Sequence, residues 1–411
     1  MAQTKPVVTA NILSARQSQA VDERSILVIG QLISGTASSG DLVENLISES
    51  QFNDAFGRTS HISKAGRTVL DKLSISRTKP KIDAIALSDA GAAVDATGTI
   101  TFVGTATAAG TISVYIDSTK NGKYQVAVSS GDSITAIGDT LEALITANLD
   151  SPVSASNAAG TVTLTALNGG TEGNDIGIRY EGLVAGITTS TTAMTGGATN
   201  PVLTNLFDVV SDKRYTSIVY PESWGTSTLT DFLEPRFNVD DNILDGVGIV
   251  SKKDTFANLN TALDGLNLRT LAYIPNKLND DSDYRGGGIF ESSIVISARK
   301  AAERELRLTV GSNTSSIVTN GQGTGGSFFS SIPYANTPDT GLPVITTGKG
   351  FTDAEALELR NSGGWLLRNN PNNTILISGE AVTTYKTDAL ANPDNTFKFL
   401  IMQRLTLLKE F

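Results

Sequence analysis

The chain has 411 residues, a net charge of −10, no cysteine and one histidine. Its length suffices for two or three domains with real cores, and 39% hydrophobic residues fit a folded protein. The negative charge argues against a general nucleic-acid binder, since phosphate binding needs clustered Lys and Arg. Without cysteine there is no disulfide or thiolate metal site, and His61 alone leaves little zinc chemistry. No cofactor or metal is therefore expected.

The first 83 residues read as the opening of an α/β protein. Residues 1–20 are polar without a helical period, which predicts an extended arm, and they lack the charged and apolar segments of a signal peptide. Ser25–Ile29 predicts a buried strand. Asp41 is a plausible N-cap of a first helix carrying Leu42, Leu46 and Ile47, and a second helix is expected over Ser63–Leu73.

The composition changes between Ala84 and Asn200. This stretch is rich in Gly, Ala, Ser and Thr and has ten acidic side chains against three basic ones, which is −7 of the net −10. Asn121-Gly122 predicts a hairpin turn, Asp132 or Ser133 begins a helix ending at Asn148, and Ile187–Asn200 reads as an exit linker. Strands are expected at 98–103, 110–116, 124–128, 161–166 and 175–180.

After Asn205, strands and helices alternate again. Strands are expected at 217–220, 247–250, 268–274, 375–379 and 380–385, and helices at 226–233, 254–263 and 291–308, with a closing segment at 395–411. Such alternation favours a mixed or parallel sheet flanked by helices. We predict an N-terminal arm (1–20), a discontinuous α/β (α+β) main domain (21–83 and 203–411) and an inserted β-rich surface domain (84–202).

The motif GQGTGG, from Gly321 to Gly326, fits the letters of a dinucleotide-binding loop. Such a site also needs a following helix, whose amides meet the pyrophosphate, and an acidic residue about 20 positions on. Neither is present, so a flexible glycine loop is the favoured interpretation. A nucleotide-using enzyme remains the alternative from another class.

Other polar clusters have equally plain interpretations. The segment Asp117–Gly122 resembles the start of a calcium loop, but Val128 stands where a bidentate Glu is required, so a hairpin turn is favoured. The carboxylates of Asp280–Asp283 could bind a hard cation or form a solvated loop. His61 is expected at a helix N-terminus or on the surface, and Trp224 and Trp365 are expected to be core or contact residues. No constellation predicts catalysis.

Four basic side chains share the helix at 291–308, namely Arg299, Lys300, Arg304 and Arg307. They are accompanied by Glu291, Glu303 and Glu305. One interpretation is a solvated helix face, and the other is a docking face for an acidic partner surface.

The chain as a whole resembles the contractile tail sheath proteins of bacteriophages, in particular the Mu-like branch. Four sets of phrases, in this order, carry the resemblance: SILVIGQ at 25–31 with FNDAFG at 52–57 and the helix at 65–73; GDSITAI at 131–137 with LTA at 164–166 and GTEGND at 170–175; DKRY at 212–215 with YP at 220–221; TDAE at 352–355 through Asn361, with GEAVTTY at 379–385 and DNTF at 394–397.

The resemblance implies a structural subunit, not an enzyme, that stacks in hexameric rings around a tail tube. Contraction would drive the tube through the host envelope. Implied partners are neighbouring sheath subunits, the tube, baseplate and tail terminator proteins, with no nucleic acid and no membrane insertion. The location would be the virion tail, after assembly in the bacterial host cytoplasm. Residues 1–20 suit an arm that adds a strand to a neighbour's sheet, and the Arg299–Arg307 helix or the 352–361 helix would face the tube.

Two expectations remain open. Sheath proteins usually continue beyond the equivalent of Phe411 with a C-terminal arm, so a shortened or divergent chain is expected to self-assemble weakly or not at all. The alternative of the same class is the sheath of a phage-derived contractile bacteriocin or secretion device.

Overall fold

Strands and helices alternate in the described residues, except in the middle of the chain, which is mostly β. The structure, a computed structural model, describes residues 24–74, 79–117, 121–210, 213–236, 246–277, 290–307, 337–338, 350–369, 375–377 and 383. In chain order the strands are β1 (Ser25–Gln31), β2 (Leu42–Val43), β3 (Lys81–Leu87), β4 (Asp95–Gly104), β5 (Gly110–Ile116), β6 (Lys123–Val128), β7 (Val153–Ala158), β8 (Thr161–Gly169), β9 (Ile178–Glu181), β10 (Ile187–Thr195), β11 (Ser217–Val219), β12 (Val247–Asp254), β13 (Leu271–Lys277), β14 (Thr337–Pro338), β15 (Leu367–Asn369) and β16 (Ile375–Ile377). The helices are α1 (Glu49–Phe56), α2 (His61–Leu73), α3 (Ile134–Ala147), α4 (Ser227–Leu233), α5 (Phe256–Asp264), α6 (Ser293–Arg307) and α7 (Asp353–Asn361).

A six-stranded mixed sheet has the order β13-β12-β11-β1-β3-β2. Its first five strands are parallel, and only β2 runs antiparallel to its neighbour β3. We call this sheet with α1, α2 and α4–α7 the sheet unit. It confirms the prediction of an α/β fold with a mixed sheet flanked by helices.

The side chains of β1 alternate between two apolar clusters, one on each face of the sheet. Ile26 and Val28 belong to the cluster that contains buried residues of α1, α2 and α6. Leu27 and Ile29 belong to the cluster that contains buried residues of α4, α5 and α7. Because strand side chains point alternately to opposite faces, this central strand holds both helical layers in place.

The helix starts follow from capping side chains. The Ser48 side chain accepts a hydrogen bond from Gln51 N, and Gln51 Oε1 accepts one from Ser48 N, which forms a capping box for α1. The predicted helix start at Asp41 is wrong: Leu42–Val43 forms edge strand β2, and an Asp41 carboxylate oxygen instead accepts from Ser38 N at 3.1 Å. The Asp41 side chain thus bonds to the backbone of its own loop and does not cap a helix.

A glycine lets α1 and α2 approach closely. A Cβ added to Gly66 would lie 2.0 Å from Cε1 of Phe52, a fully buried ring. Any larger residue at position 66 must therefore displace that ring or the backbone.

The middle of the chain forms two further sheets. One has the order β10-β4-β8-β7 and the other β6-β5-β9. A third apolar cluster, from Ala96 to Met194, joins them to the buried face of α3. We call β4–β10 with α3 the β-rich unit.

Threonine and serine cover one face of the four-stranded sheet. The inward positions of β4 are Ile100 and Phe102, whereas Thr99 and Thr101 alternate with them on the other side. The strand registers align Thr192, Thr99, Thr163 and Ser156 in one row across the four strands. We call this the hydroxyl face; its members are Thr97, Thr99, Thr101, Ser154, Ser156, Thr161, Thr163, Thr165, Ser190 and Thr192.

Several sequence predictions for this region are refined by the structure. β5 and β6 pair as an antiparallel hairpin, as Asn121-Gly122 predicts. The prediction of an exit linker at Ile187–Asn200 is wrong, because Ile187–Thr195 forms strand β10, which pairs with β4. β7 was not predicted at all. The six-stranded sheet includes β3 up to Leu87, so the predicted domain boundary at residue 84 falls inside a strand, and the division into domains stays a prediction.

Candidate functional site

The β-rich unit lies against the carboxyl ends of the parallel strands, the edge where open α/β sheets commonly bind ligands. At the end of β1, Gln31 Nε2 donates to Asp89 Oδ1 at 2.7 Å and to the Gly169 carbonyl at 2.6 Å. Asn168 Nδ2 donates to the Leu32 carbonyl at 3.0 Å. The end of strand β8 therefore occupies this edge.

The 3₁₀ segment Thr171–Asp175 follows β8 and brings two carboxylates, Glu172 and Asp175, to the sheet unit. Glu172 is buried and accepts a hydrogen bond from Ser223 Oγ. Burial raises the pKa of Glu172 to about 7, with Asp175 and Glu222 adding to the rise while Ser223 and Lys64 oppose it.

Asp175 accepts a hydrogen bond from Ser293 N, the first residue of α6, and lies 3.3 Å from Lys253 Nζ. A carboxylate at a helix N-terminus is favoured by the free N–H groups and the helix dipole. The β-rich unit thus caps a helix of the sheet unit.

Helix α2 and the segment just before it carry three more basic contacts to the β-rich unit. Asp150 receives a two-bond fork from Arg58 at 2.8 Å for each bond, and Arg67 Nη1 lies 2.5 Å from its Oδ1. The hydrogen bond from Arg58 holds the pKa of Asp150 below its usual range. Lys64 pairs with Asp117, which is almost fully buried.

We call this set of contacts the polar seam. Its members on the sheet unit and adjoining segments are Gln31, Arg58, His61, Lys64, Arg67, Asp89, Glu222, Ser223, Lys253, Phe290, Ser292 and Ser293. Its members on the β-rich unit are Asp117, Asp150, Asn168, Gly169, Glu172, Asp175 and Arg179.

The histidine belongs to the polar seam and has no catalytic arrangement there. His61 begins α2, as predicted, and its backbone N–H donates to Asn168 Oδ1 at 3.3 Å. Burial, with a contribution from the Lys64 charge, lowers the pKa of His61 to about 3. The ring is therefore neutral at physiological pH.

The basic side chains predicted for partner contact lie in the interior. Arg299, Lys300 and Arg304 are all less than 10% exposed, so the solvated-face interpretation is wrong. Arg304 Nη1 donates to the Thr216 carbonyl at 2.5 Å, and Lys300 pairs with Glu303 at 2.7 Å. The side chain of Arg307 lies outside the described residues. A tube-facing role for this helix stays a prediction.

The remaining motifs divide between the core and the undescribed parts of the chain. Trp224 and Trp365 are buried, as predicted. The loop 321–326 and the carboxylate cluster 280–283 lie outside the described residues, as do the arm 1–20 and the closing segment 395–411. Within the described ranges no group of three His, Cys, Asp or Glu side chains could hold a metal ion, and no helix there is long and apolar enough to cross a membrane.

The sequence analysis did not find the polar seam. A signal was available, since the acidic excess of residues 84–200 faces basic residues concentrated in 58–67. Opposite charges on two neighbouring stretches of one chain predict a contact within the chain, not only with a partner.

The comparisons with known proteins point to the tail sheath proteins. The chain is 29% identical over 244 residues to the Mu-like prophage FluMu tail sheath protein of Haemophilus influenzae. That alignment covers 57% of this chain and 48% of the relative, so it spans about half the relative's length. The resemblance to Mu-like tail sheath proteins is thereby confirmed.

A solved structure of the sheath tail protein from Desulfitobacterium hafniense is also similar, with a TM-score of 0.44 and 12% identity. The match covers 94% of this chain and 79% of that one. No protein-family model matches the chain.

Proposed function

We propose that this protein is the structural subunit of a contractile tail sheath. It would assemble as stacked hexameric rings, an arrangement that we infer from the sheath resemblance. The observation that carries the proposal is the similarity to the Haemophilus influenzae tail sheath protein over 244 residues. Contraction of the assembled sheath would drive a tail tube through the host envelope.

The structure of the described residues suits a scaffold better than an enzyme. The carboxyl edge of the parallel strands, where a ligand would bind, holds Gln31, Asn168 and Gly169 in hydrogen bonds to one another or to neighbouring backbone. His61 is buried and neutral. Both features support a role in assembly.

We assign the parts of the chain to places in the particle as follows. The β-rich domain inserted at 84–202 would lie on the outside, where its uncharged hydroxyl face meets solvent. The α/β domain would lie toward the tube, and the arm 1–20 would add a strand to a neighbouring subunit. The tube, baseplate and terminator proteins would be its partners, and assembly would take place in the host cytoplasm before the sheath becomes part of the virion.

Electron microscopy of the purified protein at high concentration, beside its parent particle, tests the proposal. Tubes or stacked rings, or a sheath on the particle that contains this chain, are the expected results. A parent particle without any sheath would overturn the proposal. Capsid and terminase genes beside the coding sequence would indicate a phage tail, and their absence would indicate a contractile bacteriocin or secretion device.

The tube contact needs a separate variant, because Arg304 is bonded inside the chain. We expect Arg307→Glu to reduce the number of sheathed tails if this helix faces the tube. Arg304→Glu serves as the comparison, since it should lower stability before it affects assembly. Full sheathing by a folded Arg307→Glu variant would remove the helix from the tube interface.

A further inference from the structure

The sheet unit and the β-rich unit share no apolar core. Two of the three hydrophobic clusters contain only residues of the sheet unit and its adjoining segments, and the third contains only residues from Ala96 to Met194. Apolar burial, the dominant force in folding, therefore stabilises each unit separately. The contact between the units is the polar seam, and one pair of its side chains is arranged like two reactants.

This pair is Lys64 on α2 and Asp117, which directly follows β5. Lys64 Nζ is in direct contact with Asp117 Oδ2, and the two side chains are 18% and 1% exposed. Both side-chain oxygens of Asp117 are buried, and neither accepts a hydrogen bond from a described residue. Hydrogen bonds of that kind stabilise a carboxylate in its charged form. Among the described residues, the carboxyl group of Asp117 therefore has an amine beside it and no donor that holds it as an anion.

The backbone fixes the position of this carboxyl group. Asp117 has a φ of 60°, and its N–H donates to the Gly177 carbonyl at 2.8 Å. A Cβ added to Gly177 would lie 2.6 Å from Cε2 of Phe290, so this ring packs directly on the Gly177 backbone. A left-handed backbone at a residue other than glycine costs free energy and persists only where its surroundings fix it. The Asp117 carboxyl group therefore keeps one position relative to α2.

The amine of Lys64 has the character of a nucleophile. Its Nζ lies 3.5 Å from Ser292 Oγ, and the neighbouring Glu291 is buried. Burial lowers the pKa of Lys64 to about 7, with Arg67 adding to the shift while Glu291 and Asp175 oppose it. A substantial fraction of the amine is therefore neutral near neutral pH. The neutral amine is the form that attacks a carbonyl carbon.

We propose that Lys64 and Asp117 condense to an isopeptide bond that joins the sheet unit covalently to the β-rich unit, with Glu291 relaying the proton. The ion pair first redistributes its proton, which gives a neutral amine and a carboxylic acid. Nζ then forms a bond to Cγ of Asp117, and Glu291 takes one proton from the nitrogen. Glu291 returns this proton to the leaving oxygen, and one Cγ–O bond breaks. The products are one amide and one water molecule, and no other reactant is consumed.

Two physical effects favour the amide at this place. Holding the amine against the carboxyl group replaces a chance encounter in water by a reaction within one molecule, which removes much of the entropic barrier. Burial also penalises the two charged reactants more than it penalises a neutral amide. Condensation therefore removes an ion pair whose desolvation is costly and leaves a covalent link in the polar seam.

A second lysine–aspartate pair in the polar seam lacks this arrangement. Lys253 Nζ lies 3.3 Å from Asp175 Oδ1, and it also lies 3.4 Å and 3.5 Å from the carbonyl oxygens of Asp175 and Phe290. The Asp175 carboxylate accepts a hydrogen bond from Ser293 N. These hydrogen bonds stabilise the charged forms of both groups. The Lys253–Asp175 pair should therefore stay ionic, and it serves as an internal control.

Mass spectrometry of the unfolded full chain tests for the bond. We expect an intact mass lower than that of the sequence by one water molecule. Because trypsin cleaves after unmodified Lys and Arg, we also expect a branched peptide in which residues 59–67 are joined to residues 82–120. A succinimide at Asp245, which precedes Gly246, would lose the same mass but leave both peptides linear. Two linear peptides in the parent protein would overturn the proposal.

Three variants test the assignment of the residues. Lys64→Arg keeps a positive charge beside Asp117 but has no amine to condense. It should show the full mass and migrate more slowly on a denaturing gel, because the parent chain is closed into a loop between positions 64 and 117. Lys253→Arg, the matched change in the ionic pair, should keep the branched peptide. Glu291→Gln should lose most of it, and an undiminished yield would contradict the role of Glu291.

The bond forms within one chain and needs no sheath lattice. The test therefore uses the isolated full-length protein, and its outcome is independent of whether that protein forms tubes or rings. Equal migration of the parent and Lys64→Arg would contradict the covalent link even if the sheath proposal holds.

Discussion

The sheet unit and the β-rich unit bury charge in different ways. The sheet unit holds Lys300, Arg304 and Glu305 almost entirely inside, bonded to one another or to neighbouring strands. Among the described residues between 94 and 200, the buried charged side chains are Asp117 and Glu172, and both lie in the polar seam. A buried charge is tolerated only with partners. The sheet unit therefore uses buried charges to hold a helix in place, whereas the buried charges of the β-rich unit lie at its contact with the sheet unit.

The largest expected effect on stability comes from truncating a buried aromatic ring in one unit while the core of the other unit stays unchanged. Phe102→Ala should destabilise the β-rich unit by about 3–5 kcal/mol, because the ring is fully buried. Phe52→Ala should destabilise the sheet unit by the same amount for the same reason. Both tryptophans, Trp224 and Trp365, lie in the sheet unit. In Phe102→Ala, the melting temperature measured by tryptophan fluorescence should therefore stay that of the parent protein. The melting temperature measured by circular dichroism should fall. Equal shifts in both signals would mean that the units unfold as one.

Overpacking the α1–α2 contact should come next. Gly66→Ala places a methyl group 2.0 Å from the Phe52 ring and should cost about 1–3 kcal/mol despite the better helix propensity of Ala. Gly91→Ala is the matched control, since a Cβ there meets nothing within 4 Å. Thermal melts followed by tryptophan fluorescence compare the two. A neutral Gly66→Ala would show that the ring can move aside.

The fork of Arg58 and Arg67 on Asp150 should contribute less. Its groups are partly exposed, so Asp150→Asn should cost about 1 kcal/mol or less and lose its effect in high salt. Because the pKa of Asp150 is lowered, this contribution is present above its ordinary value of 3.8 and fades as the pH falls through the lowered one. Asp231→Asn, on the exposed side of α4, is the control. Denaturant melts at pH 6 and pH 3 should show a larger difference between the two variants at pH 6 than at pH 3.

The smallest effect is expected on the hydroxyl face. Thr99 stands between Thr192 and Thr163 in one row, and such cross-strand pairs contribute about 0.2–1 kcal/mol. Thr99→Ala should lower stability by that amount, with no change in its salt dependence. A salt-dependent loss would place a charged group on this face.

The sequence predicted the fold best where local and tertiary forces agree. The alternation after Asn205, the hairpin at Asn121-Gly122 and the start of α3 after its cap Ser133 were read correctly because turn chemistry and capping act over a few residues. The sequence analysis failed for Ile187–Thr195, which it assigned to a linker because the segment is rich in Thr. This segment is a strand because it pairs with β4, a contact that the local sequence does not encode. The prediction also failed for Arg299 and Arg304, since their burial depends on α2 and β11, distant in sequence.

The hydroxyl face has a consequence for how the molecule behaves beside others of its kind. Its side chains carry no formal charge, although the chain has a net charge of −10. Counterions gather around charged surfaces and are displaced when these meet, which makes such encounters depend on the dissolved salt. An encounter through this face involves water and hydroxyl groups only. A change in the concentration of dissolved salt would therefore alter an encounter through this face far less than one through the charged parts of the surface.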